Sequence, residues 1–119
     1  MHVFVDPRVV KILETVKASP SVTIPDLASH LGLSNSRLGH VFKNGTGVAL
    51  AVFLEQRRME RASELLRSTE TRIKEITYLV GYLHESSFSR AFQKWFHCTP
   101  TDYRKKQRSL LQNGVMMRK

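Results

Sequence analysis

The sequence predicts an all-α protein of seven helices, folded as two homeodomain-like helix-turn-helix lobes that a long connecting helix joins. Two stretches about 50 residues apart carry the same pattern, which is an apolar helix, a glycine turn and a second apolar helix. The first turn contains Gly32 and the second contains Gly81. Repetition of such a unit in a chain of 119 residues is typical of two small helical lobes. No stretch alternates between apolar and polar residues as a half-buried strand does, so no sheet is expected.

Capping residues and a proline mark the first two helices. Asp6 followed by Pro7 is an N-cap with proline at the first helical position, and the helix then continues to about Ser19. Thr23, with an acidic residue three positions later, resembles a capping box and begins a helix that ends at Gly32. Helical spacing predicts that the first helix buries four apolar residues, which are Val9, Val10, Leu13 and Val16.

The third and fourth helices are separated by a glycine-rich break. Ser34 caps the third helix, and the Asn-Gly-Thr-Gly run at 44–47 ends it. The buried face of the third helix contains Leu38, Val41 and Phe42. The fourth helix runs from about 49 to 67, and its inward face contains Phe53, Leu54, Ala62, Leu65 and Leu66. This helix is long enough to connect two lobes.

The last three helices form the second lobe. Thr71 begins the fifth helix, which ends near Gly81, and the sixth helix runs from about 85 to 96. Thr99, followed by a proline and then an acidic residue, is a strong N-cap signal for a seventh helix that continues through Arg108. The sixth helix buries an aromatic stripe, which consists of Phe88, Phe92 and Trp95 or Phe96.

These boundaries divide the chain into four segments, and charge is distributed unevenly among them. The first lobe covers 6–47, the connecting helix 48–70, the second lobe 71–108 and a flexible C-terminal tail 109–119. The whole chain has 19 lysines and arginines against 10 acidic residues, a net charge of +9. Residues 71–119 alone carry 10 basic and 3 acidic side chains. This excess favours a polyanionic partner at the last third of the chain.

Several classes of function are excluded by what the sequence lacks. It has no Gly-rich phosphate loop, paired carboxylates, Cys-His arrangement or metal-ligand spacing, so we expect no enzyme activity, no metal site and no cofactor. Cys98 is the only cysteine, which excludes an intramolecular disulfide and fits a reducing compartment. The longest apolar run, 48–54, is far shorter than the roughly 18 residues needed to span a membrane. We therefore expect a cytoplasmic protein that does not bind membranes.

Many residues agree in order and spacing with one known family. In the second half, the matching segments are 62–66 (Ala-Ser-Glu-Leu-Leu), 73–76 (Ile-Lys-Glu-Ile), 80–82 (Val-Gly-Tyr), 87–94 (Ser-Phe-Ser-Arg-Ala-Phe-Gln-Lys) and 99–104 (Thr-Pro-Thr-Asp-Tyr-Arg). In the first half, the matching positions are Leu27, Ala28, the run 31–34, Leu38, Phe42, Lys43, Gly47 and Arg58. The chain therefore resembles the AraC/XylS family of bacterial transcription regulators over almost its whole length.

The resemblance implies a seven-helix domain that binds an asymmetric promoter site in double-stranded DNA and activates transcription by contacting RNA polymerase in the bacterial nucleoid. A connecting helix of about 30 Å approaches the ≈ 34 Å between successive major-groove faces of B-DNA, so it suits two helices in adjacent groove segments. Family members usually carry an effector or dimerisation domain as well. We favour a detached DNA-binding portion of a longer regulator over a short stand-alone regulator, because the helical pattern begins almost at Met1.

Two residues at the ends of the sixth helix depart from the family pattern. His84 stands where a capping Asp, Asn or Ser is usual, and because imidazole is a poorer acceptor we expect this helix to fray or to begin one residue later. His97 stands where glycine is common, and histidine adopts a left-handed backbone less freely than glycine does. These departures weaken the second lobe without removing a DNA-facing group.

The third helix has a polar face opposite its buried stripe. The base-reading positions of the family correspond to Ser36, Gly39 and His40, with Arg37 beside them. Arg37 suits a bidentate contact to guanine, His40 suits a base edge or a phosphate, and Gly39 allows close approach to DNA. We expect Lys43 to bind a phosphate. The alternative is that the two basic residues are solvated surface charges. A metal or acid-base role for the histidine is disfavoured, because no second ligand or nucleophile lies at a suitable spacing.

The sixth helix has an equivalent polar face. Its candidate base-reading residues are Glu85, Ser86, Ser87, Ser89 and Arg90. Arg90 is the best candidate for a base contact, whereas Glu85 either accepts from a cytosine amino group or stabilises the helix dipole. The serines suit phosphate or water-mediated contacts, which carry less sequence information. The residues expected at the DNA backbone are Lys94, Arg104, Lys105 and Lys106.

One alternative to sequence-specific DNA binding stays open. Helix-turn-helix bundles sometimes lose DNA binding and act as helical protein-interaction modules. The salt dependence of DNA affinity separates the two functions, because only a protein that neutralises phosphates releases counterions on binding. A weak and salt-insensitive affinity would indicate the interaction module.

Overall fold

The computed structural model describes the backbone of residues 5–114 and the side chains of residues 5–112. The helices of this part of the chain are α1 (Pro7–Ala18), α2 (Ile24–Leu31), α3 (Asn35–Thr46), α4 (Leu50–Ser68), α5 (Ile73–Leu79), α6 (Glu85–Phe96) and α7 (Pro100–Gly114). No strand occurs between residues 5 and 114, so the predicted all-α fold of seven helices is confirmed. Within the same range, no helix combines the length and the apolar character that crossing a bilayer requires.

The helices form two compact units, and the boundary between the units falls between Arg58 and Met59, inside α4. Each unit has its own apolar core. The first core contains Ile12, Val16, Leu27, Ala28, Leu38, Phe42, Leu50 and Leu54. The second core contains Met59, Ala62, Leu65, Leu66, Ile76, Val80, Phe88, Ala91 and Phe92. The connecting segment 48–70 therefore contributes residues to both cores, including Leu54, Ala62, Leu65 and Leu66 of its predicted inward face.

Side-chain caps fix the starts of four helices. The capping residues are Asp6, Thr23, Ser34 and Thr99, and each accepts a backbone N–H two or three residues later at 2.9 to 3.2 Å. All four predicted caps are confirmed. The Arg8 guanidinium also donates to the Asp6 carboxylate at 2.8 Å, and this hydrogen bond lowers the pKa of Asp6.

The buried face of α1 differs from the predicted one. Val9 and Val16 are buried as expected, but the third buried residue is Ile12. Val10 is 38% exposed and Leu13 is only half-buried. Positions three and seven residues apart lie along one narrow stripe of an α-helix, whereas the adjacent positions rotate away to its sides. The prediction therefore made the apolar stripe too wide.

The predicted break at 44–47 is also partly wrong, because α3 continues through Thr46 and ends only at Gly47. Gly45 is helical, and a Cβ atom added to it would lie 2.6 Å from Cγ2 of Val9. Glycine at this position therefore allows α1 to pack closely against α3 rather than ending the helix. Gly47 has a φ of +79°, the left-handed conformation that commonly ends a helix and that glycine adopts without strain.

Two helix boundaries in the second unit differ from the prediction. The N-cap of α5 is Arg72 rather than Thr71, and it makes no side-chain cap hydrogen bond. The Thr71 hydroxyl is instead hydrogen-bonded to the Thr69 hydroxyl at 2.9 Å. α7 continues beyond Arg108 to Gly114, because residues 109–113 contain no proline or glycine that would stop a helix. Part of the predicted tail is thus helical, and 115–119 lie outside the described residues.

Candidate nucleic-acid interface

α3 is anchored by one apolar face and presents the opposite face to solvent. Leu38 is fully buried and Phe42 is 1% exposed, so these two side chains fix the rotation of the helix about its axis. The predicted DNA-contacting residues lie on the outer side, where Ser36, Arg37, His40 and Lys43 are exposed and Gly39 is half-buried. A Cβ atom added to Gly39 would meet no atom within 4 Å. The outer face of α3 therefore has a gap at Gly39, bordered by polar and basic side chains.

α6 is anchored by aromatic packing. Phe88 and Phe92 are fully buried, and their ring centroids lie 5.8 Å apart. Trp95 and Phe96 are half-buried and pack against the same core, so the predicted aromatic stripe includes both. The predicted base-reading residues lie on the outer side, where Glu85, Ser86, Ser87 and Arg90 are exposed and Ser89 is half-buried.

The outer faces of α3 and α6 correspond position by position. Residues 50 apart have the same environment: Gly39 and Ser89 are half-buried, and His40 and Arg90 are exposed. Each helix thus has a small residue followed by a basic residue at its middle. The surfaces have the same layout but different chemistry, which is what a protein needs to read two dissimilar DNA sequences.

Both ends of α6 lack the residue types that usually cap helices. His84 is the N-cap, yet its side chain accepts no cap hydrogen bond. The helix nevertheless begins at Glu85, so the expected delay of one residue does not occur. His97 at the other end has a φ of +62°, and it is the one non-glycine residue with a positive φ between residues 5 and 114. The prediction that a histidine replaces the usual glycine in a left-handed conformation is thus confirmed.

The predicted phosphate-binding residues fall into two groups. Lys43, Lys94, Lys105 and Lys106 have exposed side chains. Arg104 is half-buried and differs from the rest, because its guanidinium donates to backbone carbonyls at the end of α4. Nε donates to the Leu66 carbonyl at 3.1 Å, and Nη2 donates to the carbonyls of Leu65 and Thr69 at 3.4 and 3.2 Å. These bonds give Arg104 a structural role within the second unit.

The electrostatic surroundings of Arg104 support this structural role. Burial lowers the pKa of its guanidinium, the positive charge of Arg108 lowers it further, and Glu70 acts in the opposite direction. Glu70 is itself paired with Arg108, at 2.7 Å. An arginine stays charged near neutral pH, so the three hydrogen bonds to carbonyls are charge-assisted and stronger than neutral ones.

Arg58 has an equivalent role in the first unit. Its Nε donates to the Pro20 carbonyl and its Nη2 to the Val22 carbonyl, both at 2.9 Å. In each unit, an arginine that follows the solvent-facing helix reaches back to carbonyls in the last turn of the first helix or just after it. The correspondence between Arg58 and Arg104 is hard to detect in the sequence, because they are 46 residues apart whereas the repeat spacing is about 50.

The arrangement offers little for chemistry other than binding. Among residues 5–114, no group of three His, Cys, Asp or Glu side chains comes close enough to hold a metal ion. The outer faces of α3 and α6 are polar and largely exposed, and such surfaces suit a macromolecule rather than a small substrate.

Sequence comparison agrees with this geometry. The family model described as "Helix-turn-helix domain" matches residues 27–106, which include both turns and both solvent-facing helices. The chain belongs to the AraC-type helix-turn-helix family of DNA-binding transcription regulators. The domain of this family is a DNA-binding domain and not an enzyme.

The chain matches part of longer curated relatives and most of one solved domain. It is 34% identical over 98 residues to the Msm operon regulatory protein of Streptococcus mutans, which covers 82% of this chain and 35% of that protein. It is 36% identical over 81 residues to the HTH-type transcriptional activator RhaR of Mannheimia succiniciproducens, covering 68% and 29%. The C-terminal domain of AraT, a response regulator from Geobacillus stearothermophilus, has a TM-score of 0.78 at 32% identity, covering 87% and 88%. The chain spans about a third of the length of these two curated relatives.

Proposed function

We propose that this chain binds double-stranded promoter DNA in a sequence-specific manner, with α3 and α6 as recognition helices in adjacent major-groove segments. The observation that carries the proposal is the doubled outer face, with Gly39 and His40 on one helix matched by Ser89 and Arg90 on the other. A single helix of this kind reads one half-site, so two of them read a bipartite site. The 19 residues of α4 span about 28 Å, close to the ≈ 34 Å that this requires.

Each side chain has a role that follows from its chemistry. Arg37 and Arg90 are exposed and suit bidentate contacts to guanine, each worth about 1–3 kcal/mol of discrimination against another base. His40 donates to a base edge or a phosphate, and Glu85 accepts from a cytosine amino group. The serines on the two helices bind phosphates directly or bases through water. The phosphate contacts are Lys43, Lys94, Lys105 and Lys106, without Arg104.

The wider role of the chain is that of the DNA-binding part of a transcription activator. RhaR is named as an activator, which supports an activating role, and the Msm protein is named as an operon regulator. We propose RNA polymerase as the protein partner and the bacterial nucleoid, in the cytoplasm, as the location. Because the relatives are about three times longer, an effector or dimerisation domain in the same polypeptide is part of the proposal.

A salt titration tests the proposal. A binding site of about 25 base pairs is first selected from a random DNA pool, and its affinity is then measured by fluorescence anisotropy at several salt concentrations. If five or six phosphates are neutralised, log affinity falls with log salt concentration with a slope of about −5. A flat response, with no sequence recovered from the pool, would instead indicate a protein-interaction module.

Three variants separate base contacts from backbone contacts. Arg90→Ala is expected to lose about 1–3 kcal/mol of binding free energy and to relax specificity at one base pair. Lys105→Ala is expected to weaken binding to all sequences alike and to reduce the salt slope by about 1. Lys11→Ala, which removes an exposed charge from α1, is the matched control and is expected to keep both the specificity and the slope.

A further inference from the structure

The turns that lead into α3 and α6 differ in length by one residue. In the first unit, a single residue, Leu33, separates Gly32 from the N-cap of α3. In the second unit, two residues, Tyr82 and Leu83, separate the corresponding glycine from the N-cap of α6. The second turn therefore contains one residue that has no counterpart in the first.

The apolar residue before an N-cap usually has a structural role, because it packs against the fourth residue of the helix. Leu33 is in this position in the first unit, and it is half-buried against the core that contains Leu38. In the second unit Tyr82 occupies that core position, and its ring centroid lies 5.8 Å from that of Phe88. The structural role is thus already filled by Tyr82.

Leu83 is consequently left outside the core. It is 82% exposed, the largest exposed fraction of any large apolar side chain between residues 5 and 112. It directly precedes His84 and the exposed polar residues Glu85 and Ser86 at the start of α6. An apolar side chain is therefore presented at the leading end of a recognition helix whose other outer residues are polar.

We infer that Leu83 contacts the C5-methyl group of a thymine in the major groove and so determines specificity at one position of the half-site read by α6. This inference rests on the proposed function. The N-terminal end of a recognition helix is the end that meets base edges. The thymine methyl is the apolar group that the major groove displays, and apolar side chains recognise it by contact. The first unit has the polar residues Ser34 and Asn35 at the same end, so the preference is confined to one half-site.

The test removes only the methyl group from the DNA. In the selected binding site, each thymine is replaced in turn by deoxyuridine, which pairs identically but lacks the methyl. The Arg90→Ala variant first identifies which half-site α6 reads. We expect one thymine in that half-site at which the replacement weakens binding about three- to fourfold, the effect of returning one methyl group to water.

Two variants assign this effect to a side chain. Leu83→Ser is expected to bind the thymine and deoxyuridine sites with equal affinity, while keeping the base preference that Arg90 confers. Leu79→Ser, which changes a leucine on α5 that is 58% exposed, is the control and is expected to keep the full thymine preference. Because Leu83 is 82% exposed, circular dichroism is expected to show that the variant folds normally.

Three outcomes would overturn the inference while leaving the proposed function intact. In the first, no thymine of the α6 half-site responds to deoxyuridine. In the second, Leu83→Ser responds as strongly as the original chain. In the third, Leu83→Ser binds both DNAs like the original chain but loses affinity for RNA polymerase, which would make Leu83 part of a protein-binding surface. Absence of any specific DNA binding by the original chain would contradict the proposed function itself.

Discussion

The two units have the same succession of helices but hold their recognition helices in different ways. In the first unit, the Ser34 hydroxyl caps α3 at 3.1 Å, and Gly47 ends it in a left-handed conformation that costs glycine little. In the second unit, the corresponding residues are His84, which makes no side-chain cap bond, and His97, which adopts a positive φ despite its Cβ. The two ends of α6 are therefore less stabilised by their capping residues than the two ends of α3.

The second unit has a more aromatic core, which offsets its weaker helix ends. Phe92 lies at the centre of this core, with ring centroids 5.8 Å from Phe88, 4.5 Å from Phe96 and 5.3 Å from Tyr103. In the first unit, Phe42 is paired with Phe53 at 5.2 Å. Aromatic pairs contribute about 0.5–1.5 kcal/mol beyond the area they bury, so three of them outweigh one missing cap. The comparison indicates that aromatic core packing can offset one missing N-cap hydrogen bond.

The largest expected effect comes from removing the centre of the aromatic core. Phe92→Ala is expected to reduce the free energy of unfolding of the second unit by about 3–5 kcal/mol, because it creates a cavity and removes three ring contacts. Chemical denaturation followed by the fluorescence of Trp95, the only tryptophan, reports on this unit. Phe42→Ala is the matched change in the first unit. A loss below about 1 kcal/mol for Phe92→Ala would contradict the role of this core.

A smaller effect is expected at the arginines that close each unit. Arg104→Ala removes three charge-assisted hydrogen bonds to carbonyls at the end of α4 and is expected to cost about 2 kcal/mol. Arg104→Lys is expected not to restore the loss, because an ammonium group cannot reproduce the planar fork. Arg58→Ala is the corresponding change in the first unit. The free energy of unfolding is measured by urea denaturation. DNA affinity is measured separately at low temperature, which distinguishes the structural role from phosphate binding. An Arg104 variant with normal stability but weaker DNA binding would instead show that Arg104 contacts DNA.

His97 and Gly47, which both have a left-handed backbone, allow opposite substitutions in the two units. His97→Gly is expected to stabilise the second unit by about 1 kcal/mol, because glycine adopts positive φ without strain. Gly47→Ala is expected to destabilise the first unit by about 1–2 kcal/mol through backbone strain alone, since its new Cβ would meet no atom within 4 Å. Thermal unfolding by circular dichroism measures both shifts. Two shifts of the same sign would show that the conformations of these residues do not explain the difference between the units.

The smallest effect concerns the N-caps. His84→Ser is expected to stabilise α6 by about 1 kcal/mol, and Ser34→Ala is expected to destabilise α3 by a similar amount. Amide hydrogen exchange at residues 85–88 and 35–38 localises each change to the first turn of its helix. If His84→Ser left the hydrogen-exchange protection of residues 85–88 unchanged, core packing alone would stabilise the start of α6.

Local signals in the sequence were sufficient for most of the fold. The four capping residues and the aromatic stripe of α6 were predicted correctly, because each depends on residues within one or two turns of the chain. Gly45 was misinterpreted, because glycine after asparagine is typical of a turn. Here it remains helical because Val9 packs against it from a distant part of the sequence.

Long-range contacts account for the rest of what could not be predicted. Arg104 and Arg58 donate to carbonyls 35 to 39 residues away, and no periodicity encodes a hydrogen bond from a side chain to a distant backbone group. For the candidate interface, the sequence predicted the residues of both outer faces. It did not distinguish Leu83 from a packed residue, because the role of Tyr82 in the core depends on three-dimensional contacts.

The position of the unit boundary within α4 restricts how such a protein can evolve. A division there would separate α4 into residues 50–58 and 59–68, and isolated helices shorter than about 12–15 residues are marginal in water. Each fragment would keep only its own part of α4. Neither half is therefore a self-contained unit that recombination could exchange. New operator preferences are therefore expected to arise by substitution on the outer faces of α3 and α6 rather than by exchange of whole halves between genes.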